Sequence, residues 1–260
     1  MISFELNGKQ VQLDIISDLT LLQLLRDKLG ITSPKNGCAP AGQCGCCTVL
    51  IDGLPQFACR TVATQVAGKR VTTLEGLPDQ ARRLLAECFV RAGAVQCGYC
   101  TPGIAIRTHA LLERNPSPSR AEIVAELVGH FCRCTGYKKI INAIELLARV
   151  RRGEALPSSG NGQSGVGAPL AKYGGRELVL GERKFIDDIT VPGMVFAAMR
   201  FSDHPRALVK RIDTSVAEVM PGVLRVATWR DVPGERYVGL VEKDWPICIA
   251  EGEETRCVGD

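Results

Sequence analysis

Twelve cysteines in 260 residues constrain this chain more than any other feature, because they are bunched and not scattered. Cys38, Cys44, Cys46, Cys47 and Cys59 form one group; Cys97, Cys100, Cys132 and Cys134 form a second; Cys88, Cys248 and Cys257 stand alone. The start, MISFELNG, has no basic stretch leading into an apolar core, so no secretory signal is expected and the protein reads as cytoplasmic. A reducing compartment disfavours disulfides, and bunched cysteines there point to metal or redox chemistry. Two groups imply two sites.

In the first group five residues separate Cys38 from Cys44, two separate Cys44 from Cys47, and eleven separate Cys47 from Cys59. Four thiolates that converge on two irons suit a loop supplying three ligands and a neighbouring element supplying the fourth. Gly37, Gly42 and Gly45 are expected to take positive φ and to aim N–H groups at sulfur, which helps set a potential. A structural zinc site also takes four cysteines, but zinc ribbons generally bring two C-x-x-C knuckles and this group has one. The second group is Cys97-Gly-Tyr-Cys100 followed, after thirty-one residues, by Cys132-Arg-Cys134. Alone, that pattern leaves zinc a serious competitor; beside the first group it favours a second iron–sulfur cluster.

Periodicity places these groups in an α+β chain. Residues 1–75 read as a small unit with hairpins turning at Asn7-Gly8 and Asp52-Gly53 and a helix over DLTLLQLLRDKLG stopped by Gly30. Residues 76–152 turn helical: PDQARRLLAECFVRAG, then a helix opened by Thr101 as N-cap with Pro102 in its first turn, then one opened by a Ser119/Glu122 capping box, then KKIINAIELLARV. Four helices with short loops predict a bundle with cysteine pairs at its loops. Residues 153–171 are a Gly/Ser-rich linker by composition, and residues 172–260 recover strand-like runs such as GMVFAAMRF, ALVKRIDT and GVLRVATW.

The motifs NGCAPAGQCGCCTVLIDG with Cys59, QCGYCTPG and CRCTGY resemble the iron–sulfur part of the xanthine dehydrogenase and aldehyde oxidoreductase family of molybdenum hydroxylases, over about residues 1–150. The resemblance implies a β-grasp, plant-type ferredoxin-like domain and then a four-helix-bundle domain, each with one [2Fe–2S] cluster. It implies Cys38, Cys44, Cys47 and Cys59 as ligands of the first cluster and Cys97, Cys100, Cys132 and Cys134 as ligands of the second, with Gln96 and Cys134 beside the pterin of a molybdenum cofactor. Electrons would run from molybdenum to the helical-domain cluster, then to the ferredoxin-like cluster, then outward. The family usually has four residues between its first two cysteines and this chain has five; Cys46 stands where a small residue such as Ala is common and reads as a bystander. Residues 172–260 resemble the opening of the family's molybdenum-binding portion, a partial α/β hammerhead-like segment. The molybdenum cofactor is therefore expected on a partner subunit or a continuation of the chain, with a flavoprotein subunit or an external acceptor as the electron outlet.

Other functions find less support. The net charge of +4 comes without Lys/Arg clusters interleaved with aromatics, so no nucleic-acid partner is expected. No stretch approaches the roughly 20 apolar residues of a membrane span. No flavin or nicotinamide fingerprint is present, and no catalytic residue for carbon chemistry is assigned. His109 and His204 read as packed and loop residues, His130 as a neighbour of the second group, and Cys88, Cys248 and Cys257 as small hydrophobes. The rival readings are a zinc-stabilised scaffold and a stand-alone ferredoxin-like carrier.

Overall fold

Asn7-Gly8 and Asp52-Gly53 both carry positive φ at each position (51° and 79°, 50° and 82°), the geometry of two-residue turns whose twist matches that of the flanking strands. They close β1 (Ile2–Leu6) onto β2 (Lys9–Leu13) and β3 (Thr48–Ile51) onto β4 (Leu54–Phe57), with Leu6 opposite Lys9 and Ile51 opposite Leu54. The structure is a computed structural model that describes residues 1–15, 18–157, 165–168 and 170–260. A fifth strand, β5 (Arg70–Thr72), runs between the hairpins, parallel to β1 and antiparallel to β3, giving the order β2-β1-β5-β3-β4.

One face of this mixed sheet is covered by a short helix. Helix α1 (Leu21–Gln23) begins where Thr20 Oγ1 accepts from Gln23 N–H at 3.2 Å and Gln23 Oε1 accepts from Thr20 N–H at 3.0 Å, so it starts three residues later than the apolar run predicts. It continues as a π-helical turn, Leu24–Lys28, and ends before Gly30, whose φ is 66°. Leu21, Leu22, Leu24 and Leu25 are buried against Phe4, Val49, Ile51 and Val71. Each such side chain contributes at most about 1.5–3 kcal/mol of burial.

Helices α2 (Asp79–Arg91), α3 (Thr101–Arg114), α4 (Arg120–Glu126) and α5 (Lys138–Arg151) follow. Leu85 and Phe89 of α2, Ile104 and Leu111 of α3, and Ile140, Ile144 and Leu147 of α5 share one core. Helix α3 also packs on β3 and β4, so its buried face joins helices to sheet. Ser119 and Glu122 form the capping box of α4. At α3 the cap residue is Cys100, not Thr101, and no side chain caps it; Thr101 already has helical geometry.

The chain divides into two compact units, Met1–Thr190 and Val191–Asp260. Helix α6 (Gly175–Val179) packs against α2 and α3. Residues 172–190, grouped with the C-terminal segment by sequence pattern, thus lie in the first unit, because Leu178, Val179 and Leu180 complete its core. Of the stretch read as a linker, residues 158–164 and 169 lie outside the described residues.

The second unit has a short helix α7 (Ser215–Glu218) and two-residue strands β6 (Tyr237–Val238) and β7 (Trp245–Pro246). The runs over 193–201, 207–214 and 222–229, expected to be strands, stay irregular apart from one bridge, Leu208 to Glu254. A strand needs a neighbour for its N–H and C=O groups and a surface to cover its apolar face. Here Phe196, Leu224 and Leu240 are exposed, so alternation found no sheet to join. Among the described residues no helix is long and apolar enough to cross a membrane.

Candidate metal centres

The first cysteine loop is built by the β3–β4 hairpin. Its tight turn fixes Thr48 opposite Phe57, and at the open end Ala58 N–H donates to Cys47 C=O at 3.2 Å, bringing Cys47 and Cys59 together. A one-residue slip would send Cys59 to the other face. Cys38 and Cys44 form the other half of the site: the N–H groups of Gln43 and Cys44 both donate to Cys38 Sγ at 3.2 Å. Gly42 (φ 63°) and Gly45 (φ 69°) supply the left-handed bends that turn those N–H groups inward. Gly37 does not take positive φ; it is needed for room, since a Cβ there would lie 2.9 Å from Cys44 Sγ.

The second loop system sits at two helix starts, Cys97 and Cys100 leading into α3 and Cys132 and Cys134 leading toward α5. Gly98 (φ 85°) bends the first pair. The second is tied by Tyr137, whose hydroxyl accepts from Cys132 N–H at 2.9 Å and donates to His130 C=O at 3.0 Å, while Tyr137 itself takes a left-handed φ of 65°.

The thiols of each loop system are mutual neighbours: Cys44 lies beside Cys38, Cys46 and Cys47, and Cys47 beside Cys59, while Cys97 neighbours Cys134, Cys132 and Cys100, and Cys100 neighbours Cys132. Among the described residues no three Cys, His, Asp or Glu side chains converge as ligands of one ion. Four cysteines gathered in one loop system are the donor set that a [2Fe–2S] cluster takes. The charge of the thiols calls for a metal there. Burial, then the neighbouring Cys59, raises Cys47 to about 12, and burial together with adjacent thiols raises Cys44, Cys97 and Cys100. Burial also opposes ionisation of Cys38 and Cys132, but N–H donors at Cys38, and chiefly Thr135 at Cys132, outweigh it. Four thiolates in such a pocket require a cationic centre to be stable, so the residues fit the cluster.

The two loop systems touch. Phe131 N–H donates to Cys44 C=O at 3.0 Å, Tyr99 Oη donates to Asn36 C=O at 2.8 Å, and His130 Nε2 lies 3.1 Å from Thr48 Oγ1. Thr48 gives its hydroxyl proton to Gly45 C=O at 2.6 Å, so the imidazole is the donor between them and carries its proton on Nε2. Gly103 of α3 faces the backbone of Gly45 and Cys46.

Residues 73–145 match the family described as "[2Fe-2S] binding domain", and residues 180–260 match "Aldehyde oxidase and xanthine dehydrogenase, a/b hammerhead domain". The nicotinate dehydrogenase small FeS subunit of Eubacterium barkeri is 44% identical over 144 residues, which cover 55% of this chain and 91% of that protein. This chain belongs to the xanthine dehydrogenase and aldehyde oxidoreductase family, in its iron–sulfur part. The family's aldehyde oxidoreductase from Megalodesulfovibrio gigas is 34% identical over 252 residues, 90% of this chain but 27% of that sequence. A solved aldehyde oxidoreductase from Desulfovibrio gigas superposes with a TM-score of 0.86 at 30% identity, covering all of this chain and 31% of that one. The chain thus spans about a third or less of those family members.

Other residues fall as follows. Gln96, Cys97 and Cys134 are exposed and mark the open side of the second site; Cys38 is the most open cysteine of the first. Cys46 is buried beside Cys44, its thiol 3.8 Å from Cys44 C=O, with Cys100 and Cys47 as further neighbours. His109 packs on α3 near Glu113, Cys88 is buried in α2, and Cys248 and Cys257 are half-buried in the second unit. The sequence reading missed Thr135, Tyr137, Asn36 and Thr48. Thr135 and Tyr137 could have been found, as hydroxyls three and five residues beyond Cys132 in CRCTGY. Asn36 and Tyr99 are 63 residues apart with no local signal.

Proposed function

We propose that this chain relays electrons for a molybdenum hydroxylase through two [2Fe–2S] clusters, one held by Cys38, Cys44, Cys47 and Cys59 and the other by Cys97, Cys100, Cys132 and Cys134. The observation that carries the reading is the gathering of cysteine thiols in two adjoining loop systems of a chain similar over residues 73–145 to a [2Fe-2S] binding domain and over 144 residues to a small FeS subunit. Each cluster, when bound, accepts and passes on one electron. The protein's own part is to hold the thiolates, to aim Gln43 and Cys44 N–H groups at sulfur, and to keep the two loops in contact through Phe131 and Cys44.

In this reading residues 1–75 are the β-grasp, plant-type ferredoxin-like domain, residues 76–152 the four-helix-bundle domain, and residues 172–260 part of a hammerhead-like region whose first stretch, 172–190, completes the core of the first unit. Gln96 and Cys134 face the pterin of a molybdenum cofactor carried by a partner subunit or a continuation of the chain, which suits the exposure of both. The exposed loop 39–41 beside Cys38 is the outlet toward a flavoprotein subunit or external acceptor. A complement of free thiols suits the cytoplasm. Anaerobically purified protein is expected to hold about four irons and four acid-labile sulfides per chain, two clusters' worth. Cys100→Ser or Cys134→Ser is expected to remove one of two reduced-state EPR signals and leave the other. Absence of iron and sulfide, or loss of both signals in folded protein, overturns the reading.

A further inference from the structure

Backbone N–H groups reach sulfur in both loop systems, those of Gln43 and Cys44 at Cys38 and those of Cys134 and Thr135 at Cys132. At the second, the hydroxyl of Thr135 lies 3.1 Å from Cys132 Sγ, and the same oxygen accepts from Tyr137 N–H at 3.2 Å. The positive φ of Gly136 (61°) and Tyr137 (65°) curls the chain so that the Tyr137 N–H faces back onto that oxygen. The tie from the Tyr137 hydroxyl to Cys132 N–H and His130 C=O keeps the curl in place.

With Cys132 bound to a cluster, the direction of the hydroxyl follows. A backbone N–H can only donate, so it occupies a lone pair of Oγ1 and leaves the hydroxyl proton for another acceptor. A metal-bound Cys132 has no S–H, so its sulfur is that acceptor. The result is a relay of donors, Tyr137 N–H to Thr135 O–H to Cys132 Sγ, in which the first bond polarises the second.

We propose that Thr135 is a positioning residue that raises the reduction potential of the second cluster by donating this hydrogen bond, an inference that rests on the two-cluster reading above. Reduction adds one electron to the cluster and breaks no bond; the hydroxyl proton stays on Oγ1. The added negative charge is shared with the ligand sulfurs, so a donor at Cys132 Sγ stabilises the reduced form more than the oxidised one. The Tyr137 side chain holds the loop, and Thr135 acts on the charge.

The test is an EPR-monitored potentiometric titration, with dithionite as reductant, of the full chain with its clusters, comparing wild type with Thr135→Val and Thr135→Ser. The signal lost in Cys100→Ser identifies the second cluster. In Thr135→Val the reduced-to-oxidised ratio of that cluster at a fixed potential is expected to fall about tenfold, equivalent to about 59 mV for a one-electron couple. Thr135→Ser is expected to keep the wild-type value, and the other cluster to stay unmoved in both. An unshifted Thr135→Val, an equal shift in Thr135→Ser, or equal movement of both clusters overturns the proposal. Thr135→Ala serves as a second hydroxyl-free variant. If neither Val nor Ala retains the second cluster while Ser does, the hydroxyl serves retention, and the proposal is likewise overturned. Wild-type protein devoid of iron would instead overturn the cluster reading itself.

Discussion

A buried cysteine that lies among eight others of its kind need not share their role, and Cys46 is the case in point. It follows Gly45, whose left-handed φ is 69°, and its side chain lies beside that of Cys44. Its thiol rests 3.8 Å from a carbonyl oxygen, and burial, then Cys44, Cys100 and Cys47, push its ionisation well above the ordinary thiol range. It is a small hydrophobe packed between the two cysteine loops. Cys46→Ala is therefore expected to leave iron and sulfide content unchanged and to lower stability by about 1 kcal/mol for the missing sulfur. Iron analysis beside thermal melting checks both parts, and iron reduced by half would make Cys46 a ligand.

At the scale of elements, α3 meets a loop where a side chain would not fit. Replacing a helical glycine by alanine normally stabilises a helix by about 1 kcal/mol. At Gly103 the sign reverses, because the new Cβ would fall 2.3 Å from Gly45 C=O and 3.1 Å from the Cys46 backbone, atoms that cannot swing aside. Gly103→Ala is expected to cost about 1–3 kcal/mol net as helix and loop part, with melting lowered by ~2–4 °C per kcal/mol. An unchanged or raised melting temperature would show that this contact is loose. Elements of this kind also mark how far the sequence could be read. The turns at Asn7-Gly8 and Asp52-Gly53, the Ser119 capping box and the amphipathic α5 are local events, written in neighbouring residues. The cysteine motifs were legible for the same reason, since Cys38–Cys47, Cys97–Cys100 and Cys132–Cys134 are each short local runs. Contacts made across the fold were not. Nothing near Gly103 announces Gly45, and nothing in GMVFAAMRF announces that its alternation meets no partner strand. Thr20, which caps α1 and shortens it, could have been read as a cap but was masked by the apolar run around it.

At the scale of the whole first unit, its two ends are joined by charge. Lys35, three residues before Cys38, is 1% exposed, and its Nζ donates to Asp188 Oδ2 at 2.6 Å; Arg26 Nη1 lies 2.9 Å from Asp188 Oδ1. The same carboxylate accepts from Phe185 N–H at 2.9 Å, and Lys35 Nζ sits 5.2 Å from the centre of the Phe185 ring, which itself meets Tyr99 edge-on. Residues 185–188 thereby touch both cysteine loops, at Lys35 on one side and Tyr99 on the other. Burial opposes the Asp188 charge, but the Lys35 hydrogen bond, the Phe185 N–H and Arg26 outweigh it and hold the carboxyl below its ordinary range. Since the folded value is depressed, the unfolded chain binds the extra proton. The stability this contributes is complete above the unfolded value, about pH 3.9, and is lost as pH falls through the folded value. Asp188→Ala strands a buried ammonium and is expected to destabilise the unit by about 3–5 kcal/mol at pH 7, with a smaller difference at acid pH where wild type has lost the same interaction. Lys35→Met with Asp188→Leu removes the Lys35–Asp188 charges and leaves Arg26 with Asp187 and the carbonyls of Thr32 and Pro34, and is therefore expected to recover most of the loss. Denaturant unfolding of the three proteins at pH 7 and pH 3 separates these outcomes. A double variant as unstable as Asp188→Ala would mean that 185–188 is held by packing at Phe185 and Leu178–Leu180, with the ion pair adding little.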